Sequence, residues 1–233
     1  MFTDIVGYST MMGRDESHSL KLLDEHNRII EPVISDYSGV IIKYIGDSIF
    51  ANFDNPKDAV HSAVKFQNKL RERNRLARRR DRIPLRVGIH IGRVIKKGDD
   101  LFGNDVNITS RIEGAAPIEG IAISSDVVET LQNTDNLYYR KMGHVKLKNI
   151  REPRLIYKVY LNQEDWQSES DEILLKENLK RGINMVDIDE YQIQDTFSLA
   201  MRDIKVESEN TDDMSYADYL TEDIISDFQK VND

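Results

Sequence analysis

Two β-prone runs, Gly39-Val40-Ile41-Ile42-Lys43-Tyr44-Ile45 and Ser48-Ile49-Phe50-Ala51-Asn52-Phe53, are separated only by Gly46-Asp47. A chain that must reverse within two residues has one ready solution, a β-hairpin, because glycine supplies the positive φ that such tight turns demand. The carboxylate of Asp47 is therefore expected at a hairpin tip, presented at the end of a strand.

The surrounding pattern builds a sheet around this hairpin. Phe2-Thr3-Asp4-Ile5-Val6 is a short β-prone run, and Leu22, Leu23, His26, Ile29, Ile30, Val33 and Ile34 recur at helical spacing between Asp15 and Tyr37. After the hairpin, Asn55-Pro56 reads as an N-cap and first-turn proline for a helix with Ala59, Val60, Ala63, Val64, Gln67 and Leu70 on its inner face. Pro84 to Gly92 alternates as a strand and is followed by a polar loop, a helix from about Asp105 to Ala115, and a strand at Gly120–Ser124. A short helix at Asp126–Leu131 and β-prone stretches at Leu137–Arg140 and Leu155–Leu161 complete the pattern. The order β-α-β-β-α-β predicts an α+β fold, a ferredoxin-like antiparallel sheet with helices on one face.

Charge divides the chain. Residues 164–233 carry 20 acids and 6 bases, whereas residues 1–163 carry 21 acids and 26 bases. A domain over 1–162 and an acidic tail over 163–233, partly helical or disordered, are expected. Tyr216, Leu220, Ile224, Phe228 and Val231 could form one apolar stripe in that tail, a surface for the domain or a regulatory partner. Seven arginines between Arg71 and Arg82 have no interleaved aromatic residues and read as a solvated helix end rather than a nucleic-acid surface. No apolar run approaches the roughly 18 residues of a membrane span, no targeting signal is visible, and a cytoplasmic location is expected. Cysteine is absent, so any metal would be held by oxygen or imidazole donors, which points to hard cations.

Two groups of residues could carry chemistry. Asp4 and Asp47 each sit where a strand meets a turn, and antiparallel pairing would bring their carboxylates together. Two hard cations about 3.5–4 Å apart need such a pair for phosphoryl transfer. Either aspartate alone reads first as ordinary turn chemistry. In the second group, Asn107 and Arg111 lie four residues apart on one helix face, so an amide and a guanidinium can converge on one phosphate or ribose. His90, inside a strand motif, reads as a packed histidine rather than a ligand. His18, His26, His61 and His144 have no metal-ligand spacing.

Taken together, Phe2 through Ser9, Lys43-Tyr44-Ile45-Gly46-Asp47, Arg86-Val87-Gly88-Ile89-His90-Ile91-Gly92, and Gly103 through Arg111 resemble, in order and spacing, the class III adenylate and guanylate cyclase catalytic domain. The resemblance covers about residues 1–162. It implies that Asp4, Asp47 and the Ile5 carbonyl bind two divalent cations, Mg²⁺ or Mn²⁺. Lys43 and Asp100 match the pair that reads the purine, and a lysine donor with an aspartate acceptor suits adenine, whereas guanylate cyclases typically carry Glu and Cys or a similar pair. Asn107 matches the residue that orients the ribose, Arg111 the one that stabilises charge at the α-phosphate, and Lys148 a lysine contacting the terminal phosphates. The implied activity is conversion of ATP to cyclic AMP and pyrophosphate in a homodimer, with metals from one protomer and base-reading and Asn/Arg residues from the other.

A catalytically silent cyclase-like domain that binds nucleotide or a partner is the alternative, although Asp4, Lys43, Asp47, Asp100, Asn107 and Arg111 all retain suitable chemistry. A diguanylate cyclase is disfavoured because its Gly-Gly-Asp/Glu-Glu-Phe signature is missing from the hairpin. The resemblance also has departures. The chain begins three residues before Asp4, so a truncated first strand is expected. Thr109-Ser110 stands where small residues are commoner, and Asn149 where glycine is commoner.

Overall fold

The structure, a computed structural model, describes residues 1–131 and 136–191. The chain divides into two units, Met1–Ile188 and Asp189–Asp233. The apolar stripe from Tyr216 to Val231 lies outside the described residues.

The predicted ferredoxin-like core is present. Strand β1 (Phe2–Ile5) is followed by a short helix α1 (Tyr8–Arg14) and helix α2 (Glu16–Asp36). The hairpin β2 (Val40–Ile45) and β3 (Ser48–Asn52) comes next, then helix α3 (Pro56–Leu76) and strand β4 (Leu85–Ile89). In the sheet these strands run in the order β4-β1-β3-β2, all antiparallel. Gly46 adopts φ +64° at the turn, so Ile45 pairs directly with Ser48 and Asp47 occupies the tip. Strand β1 is bonded on both edges, to β3 and to β4, and the Met1 amino group donates to the Ala51 carbonyl at 2.8 Å. Phe2–Ile5 all pair with β4, and Phe2 and Thr3 also pair with β3.

Local chemistry explains the helix boundaries. Asp15 caps α2 by accepting from the His18 N–H at 3.0 Å, and Asn55 caps α3 by accepting from the Lys57 N–H at 3.0 Å, with Pro56 in the first turn. On their inner faces, Leu22, Ile30, Val33 and Ile34 of α2 and Ala59, Val60, Ala63, Phe66 and Leu70 of α3 are buried together with Ile5, Ile49, Leu85, Val87 and Ile89 of the sheet. A side chain the size of Phe66, fully buried, contributes about 2–3 kcal/mol. Gln67, assigned by periodicity to the same inner face, bridges the Leu85 and Gly120 carbonyls at 2.9 and 3.2 Å and so satisfies the backbone where two parallel strands begin.

Beyond β4 the sheet continues. The segment predicted as a polar loop contains a small separate hairpin, β5 (Ile95–Lys97) and β6 (Asp100–Phe102). It leads into helix α4 (Asn104–Ala115). Strand β7 (Ile121–Ser124) pairs parallel to β4, and after a short helix α5 (Ser125–Val128), strands β8 (Tyr138–Val145) and β9 (Arg154–Tyr160) add antiparallel partners.

Helices cover more than one face. Alternation puts Thr3 and Ile5 of β1 towards α2 and α3, so Phe2 and Asp4 face the other way. On that second face α4 buries Ile108 and Ile112 against Ala122 and Ile156. Gly88 makes this approach possible: a Cβ there would lie 2.2 Å from the Glu113 backbone nitrogen. Two helices follow β9, α6 (Gln163–Ser168) and α7 (Asp171–Lys180), and then strand β10 (Met185–Val186), which pairs with β8 at the sheet edge. Residues 163–188, the opening stretch of the acidic extension, therefore lie inside the first compact unit.

Candidate active site

The second face of the sheet carries the predicted site residues, and pairing register explains how they arrive there. Asp4 lies near the end of β1 and Asp47 tips the β2–β3 turn one strand away. The Ile5 N–H donates to Asp47 Oδ2 at 2.9 Å, and the Ser48 hydroxyl donates to Asp4 Oδ1 at 3.0 Å. Ile5, predicted as a carbonyl ligand, thus touches the pair through its N–H. Burial raises the Asp47 carboxyl above the usual carboxylate range, the negative charge of Asp4 raises it further, and the Ile5 N–H works against both. Two carboxylates forced together in a half-buried site favour a cation between them.

Two residues that sequence reasoning missed complete this cluster. Arg86 lies directly across from Asp4 in the β1–β4 ladder, and its Nη2 is 3.2 Å from Asp4 Oδ2. Its Nε lies 3.1 Å from Glu113 Oε1 in α4, without the alignment of a hydrogen bond. Glu113 is pushed up to about 7 by burial, against the lowering influence of Arg86, while Asp4 and Asp47 add to the rise. Arg86 is visible in the sequence within a strand motif, but only strand pairing reveals that it opposes Asp4.

The donor set fits a hard cation. Among the described residues no group of three or more His, Cys, Asp or Glu could hold a metal ion. Two carboxylates completed by substrate phosphates and water are nevertheless the usual donor set for Mg²⁺.

Lys43 and Asp100 meet although they lie on different sheets. Lys43 Nζ donates to Asp100 Oδ2 at 2.6 Å, and the Phe102 ring centroid lies 5.4 Å from the ammonium. That hydrogen bond holds the Asp100 carboxyl below its ordinary range, helped by the Leu101 N–H, which donates to Oδ1 at 2.8 Å. A β-bulge between Ile41 and Lys43 places Lys43 opposite Phe50, on the site face of the sheet. Phe50 stacks on Phe2 at 4.5 Å, and this apolar floor supports the pair.

Helix α4 separates two grooves. One, of about 530 Å³, is lined by Lys43, Asn107, Phe2, Leu101 and Phe102 among others. The other, of about 330 Å³, is lined by Arg111, Lys148, Ser110 and Glu113, with Gly182, Ile183 and Asn184 on its far wall. The side chains of Asn107, Arg111 and Lys148 are exposed and make no hydrogen bond or ion pair among the described residues. Lys43, Asp100 and Asn107 thus gather at one end, Arg111 and Lys148 at the other, and the aspartates beside Arg86.

The departures are also accommodated. Asn149 adopts φ +62°, a conformation in which asparagine is among the best-tolerated non-glycine residues. Thr109 is buried, with its hydroxyl donating to the Asp105 carbonyl at 2.6 Å. His90 is packed as expected: its ring lies 2.8 Å from the Ser124 hydroxyl oxygen, between Asp105 and Asp126.

An α+β sheet with two carboxylates at a hairpin and an Asn/Arg helix across the same face is the arrangement expected of a class III nucleotidyl cyclase catalytic domain. The chain belongs to the adenylate and guanylate cyclase catalytic domain family, whose model matches residues 1–162. It is 30% identical over 231 residues to "Putative adenylate cyclase 3" of Rhizobium meliloti, covering 98% of this chain and 37% of that protein. It is 31% identical over 179 residues to an adenylate cyclase of Anabaena cylindrica, covering 68% of this chain and 36% of that one. The chain spans a little over a third of the length of these curated relatives. A solved structure described as an adenylate/guanylate cyclase/hydrolase from Silicibacter pomeroyi superposes with a TM-score of 0.63 at 31% identity, covering 67% of this chain and 92% of that one. Among the described residues no helix is long and apolar enough to cross a membrane.

Proposed function

We propose that this chain is an adenylate cyclase that converts ATP to 3′,5′-cyclic AMP and pyrophosphate at sites shared between two copies of the chain. The observation that carries this reading is the Lys43–Asp100 pair, 2.6 Å apart beside a groove that also holds Asn107. A lysine ammonium has three donors and spends one on Asp100, so another is free for adenine N1. The carboxylate of Asp100 retains lone pairs that can accept from the exocyclic amine. Guanine presents a protonated N1 and a carbonyl at these positions, which mismatches both groups.

Asp4 and Asp47, with Ile5 beside them, would hold two divalent cations, Mg²⁺ or Mn²⁺. When bound, these ions supply Lewis acidity to the 3′-hydroxyl and charge neutralisation to the triphosphate. The protein's own share is positioning and electrostatics. Asn107 orients the ribose so that its 3′-oxygen lies in line with the α-phosphorus. Arg111 offsets the negative charge that grows on the α-phosphoryl oxygens as the bond to pyrophosphate breaks, and Lys148 receives the departing phosphates. Arg86 keeps Asp4 aimed along the sheet face.

The shared-site arrangement is supported by exposed apolar side chains beside the site: Tyr44 and Ile45 on edge strand β2, and Ile95 and Phe102 on the β5–β6 hairpin. Hydrophobic surface at a strand edge suits coverage by a second copy. Asn107 and Arg111 point outward without intrachain partners among the described residues, as residues that act across an interface would.

The test is cyclic nucleotide production by the purified chain with ATP or GTP in Mn²⁺ and then Mg²⁺. Cyclic AMP from ATP alone, lost in Asp47→Ala, is expected. Nucleotide binding without product from either substrate would instead support the silent-domain alternative.

A further inference from the structure

The family match ends at residue 162, yet the chain beyond it is built into the catalytic unit. Leu174 of α7 is 1% exposed and joins the core formed by Ile108 and Ile112 of α4 with Met142 and Val145 of β8. Strand β10 pairs Met185 with Val145 and Val186 with His144, and the Lys146 N–H donates to the Asn184 carbonyl at 2.8 Å. Lys146 stands two residues before Lys148.

Between α7 and β10 sits Arg181. Its Nη1 donates to the Ala115 and Ala116 carbonyls at 3.1 and 2.9 Å, at the C-terminal end of α4, and its Nη2 donates to Asn178 Oδ1 at 2.7 Å. The last carbonyls of a helix lack intrahelical partners and carry the negative end of its dipole, so a cation there is held by charge as well as by hydrogen bonds. One helical turn before Ala115 is Arg111. The next three residues after Arg181, Gly182 to Asn184, form the far wall of the Arg111/Lys148 groove.

We propose that the α7–β10 segment is a working part of the catalytic unit. In this arrangement Arg181 is a positioning residue that pins the end of α4, and the Asn184 backbone pins the strand end leading to Lys148. Arg111 and Lys148 are thereby held at a fixed separation for the phosphate end of the substrate. This rests on the reading of those two residues as phosphate-facing. The alignment with the Rhizobium meliloti relative, which runs through 98% of this chain, includes the segment. A dispensable linker would not place a half-buried guanidinium on a neighbouring helix end, where burial disfavours its charged form and only good hydrogen bonds offset that cost.

The test uses the full-length chain and its Arg181→Ala and Arg181→Lys variants, with pyrophosphate affinity in Mn²⁺ measured by calorimetry alongside cyclic AMP production. In Arg181→Ala, pyrophosphate affinity and kcat are each expected to fall about tenfold, since loosened positioning costs both. The melting temperature should stay high enough for full folding at the assay temperature. Arg181→Lys, which keeps a cation for the helix end, should recover most of both. A general structural role would lower the folded fraction and leave the affinity of the folded protein unchanged. Unchanged pyrophosphate affinity in Arg181→Ala overturns the inference whatever the activity. An Arg181-dependent affinity in a wild-type chain that makes no cyclic nucleotide upholds it and fails the adenylate cyclase reading instead.

Discussion

Lys43 Nζ lies 2.6 Å from Asp100 Oδ2 although 57 residues separate them in the chain. The two side chains come from different sheets, β2 and the small β5–β6 hairpin, and each is about a third exposed, so the pair is formed yet open to a ligand. Such an exposed ion pair adds little to stability, and under the proposed function it reads the base.

Under the proposed function, base choice follows from this pair. Asp100→Ala should lower kcat/KM for ATP by about 10- to 100-fold, because adenine's amine loses its acceptor while the rest of the site is intact. Lys43→Glu combined with Asp100→Cys should raise the ratio of GTP to ATP turnover. An unchanged ratio in the double variant, with folding verified by circular dichroism, would remove the assignment.

Asp47→Ala should reduce metal-dependent turnover at least about 100-fold, and Arg111→Ala should do the same through loss of charge stabilisation. Mixed in equal amounts and allowed to exchange, the two inactive chains should regain about a quarter of wild-type activity, since half of the dimers would hold one intact site of two. If heterodimers form, as shown by differently tagged chains, and no activity returns, the shared-site arrangement fails.

Gly88→Ala tests the close approach of α4 to the sheet. The added methyl would meet the Glu113 backbone at 2.2–2.6 Å, so α4 must shift or the variant must lose stability, by about 1–3 kcal/mol or more. Chemical denaturation gives the stability. Cyclic AMP production should fall as well, because α4 carries Asn107 and Arg111. A variant with wild-type stability and turnover would show that the helix can ride outward at no cost.

His26 supplies a pH signature. It is fully buried, with Nδ1 2.9 Å from Asn27 Oδ1 and no partner on Nε2 among the described residues, and burial holds its folded pKa below the ordinary 6.5. The unfolded chain therefore takes up this proton first as pH falls. The stability due to neutral His26 is complete above about pH 6.5 and declines below it, by up to about 1.4 kcal/mol per pH unit. His26→Leu lacks this dependence, so its stability relative to wild type should improve as pH falls below about 6.5. Glu113, pushed up to about 7, acts with the opposite sign between roughly pH 4.5 and 7, but it is common to both proteins and cancels. Parallel denaturation curves across this range would refute the assignment.

Much of the site is legible in the sequence because its signals are local. Gly46-Asp47 between two β-prone runs dictates a hairpin tip, Asn55-Pro56 starts a helix, and the four-residue spacing of Asn107 and Arg111 puts them on one helix face. The β5–β6 hairpin is legible only as a polar loop, because three-residue strands carry too little periodicity to register. The boundary expected near residue 162 follows charge and the extent of the family resemblance, whereas α7 docks through one buried apolar side chain, Leu174, which the net acidity of the stretch obscures.

The sequence by itself determined most of the longer strands and helices and many of the side chains that could serve nucleotide chemistry, since turn residues, caps and periodicity act over a few neighbours. Tertiary structure alone decided which of them meet. It set Arg86 opposite Asp4 across 82 residues, closed Lys43 onto Asp100, and placed Arg181 on the end of α4. The reason is physical: strand register and helix docking are chosen by the packing of the whole sheet, and no local window of sequence contains that choice.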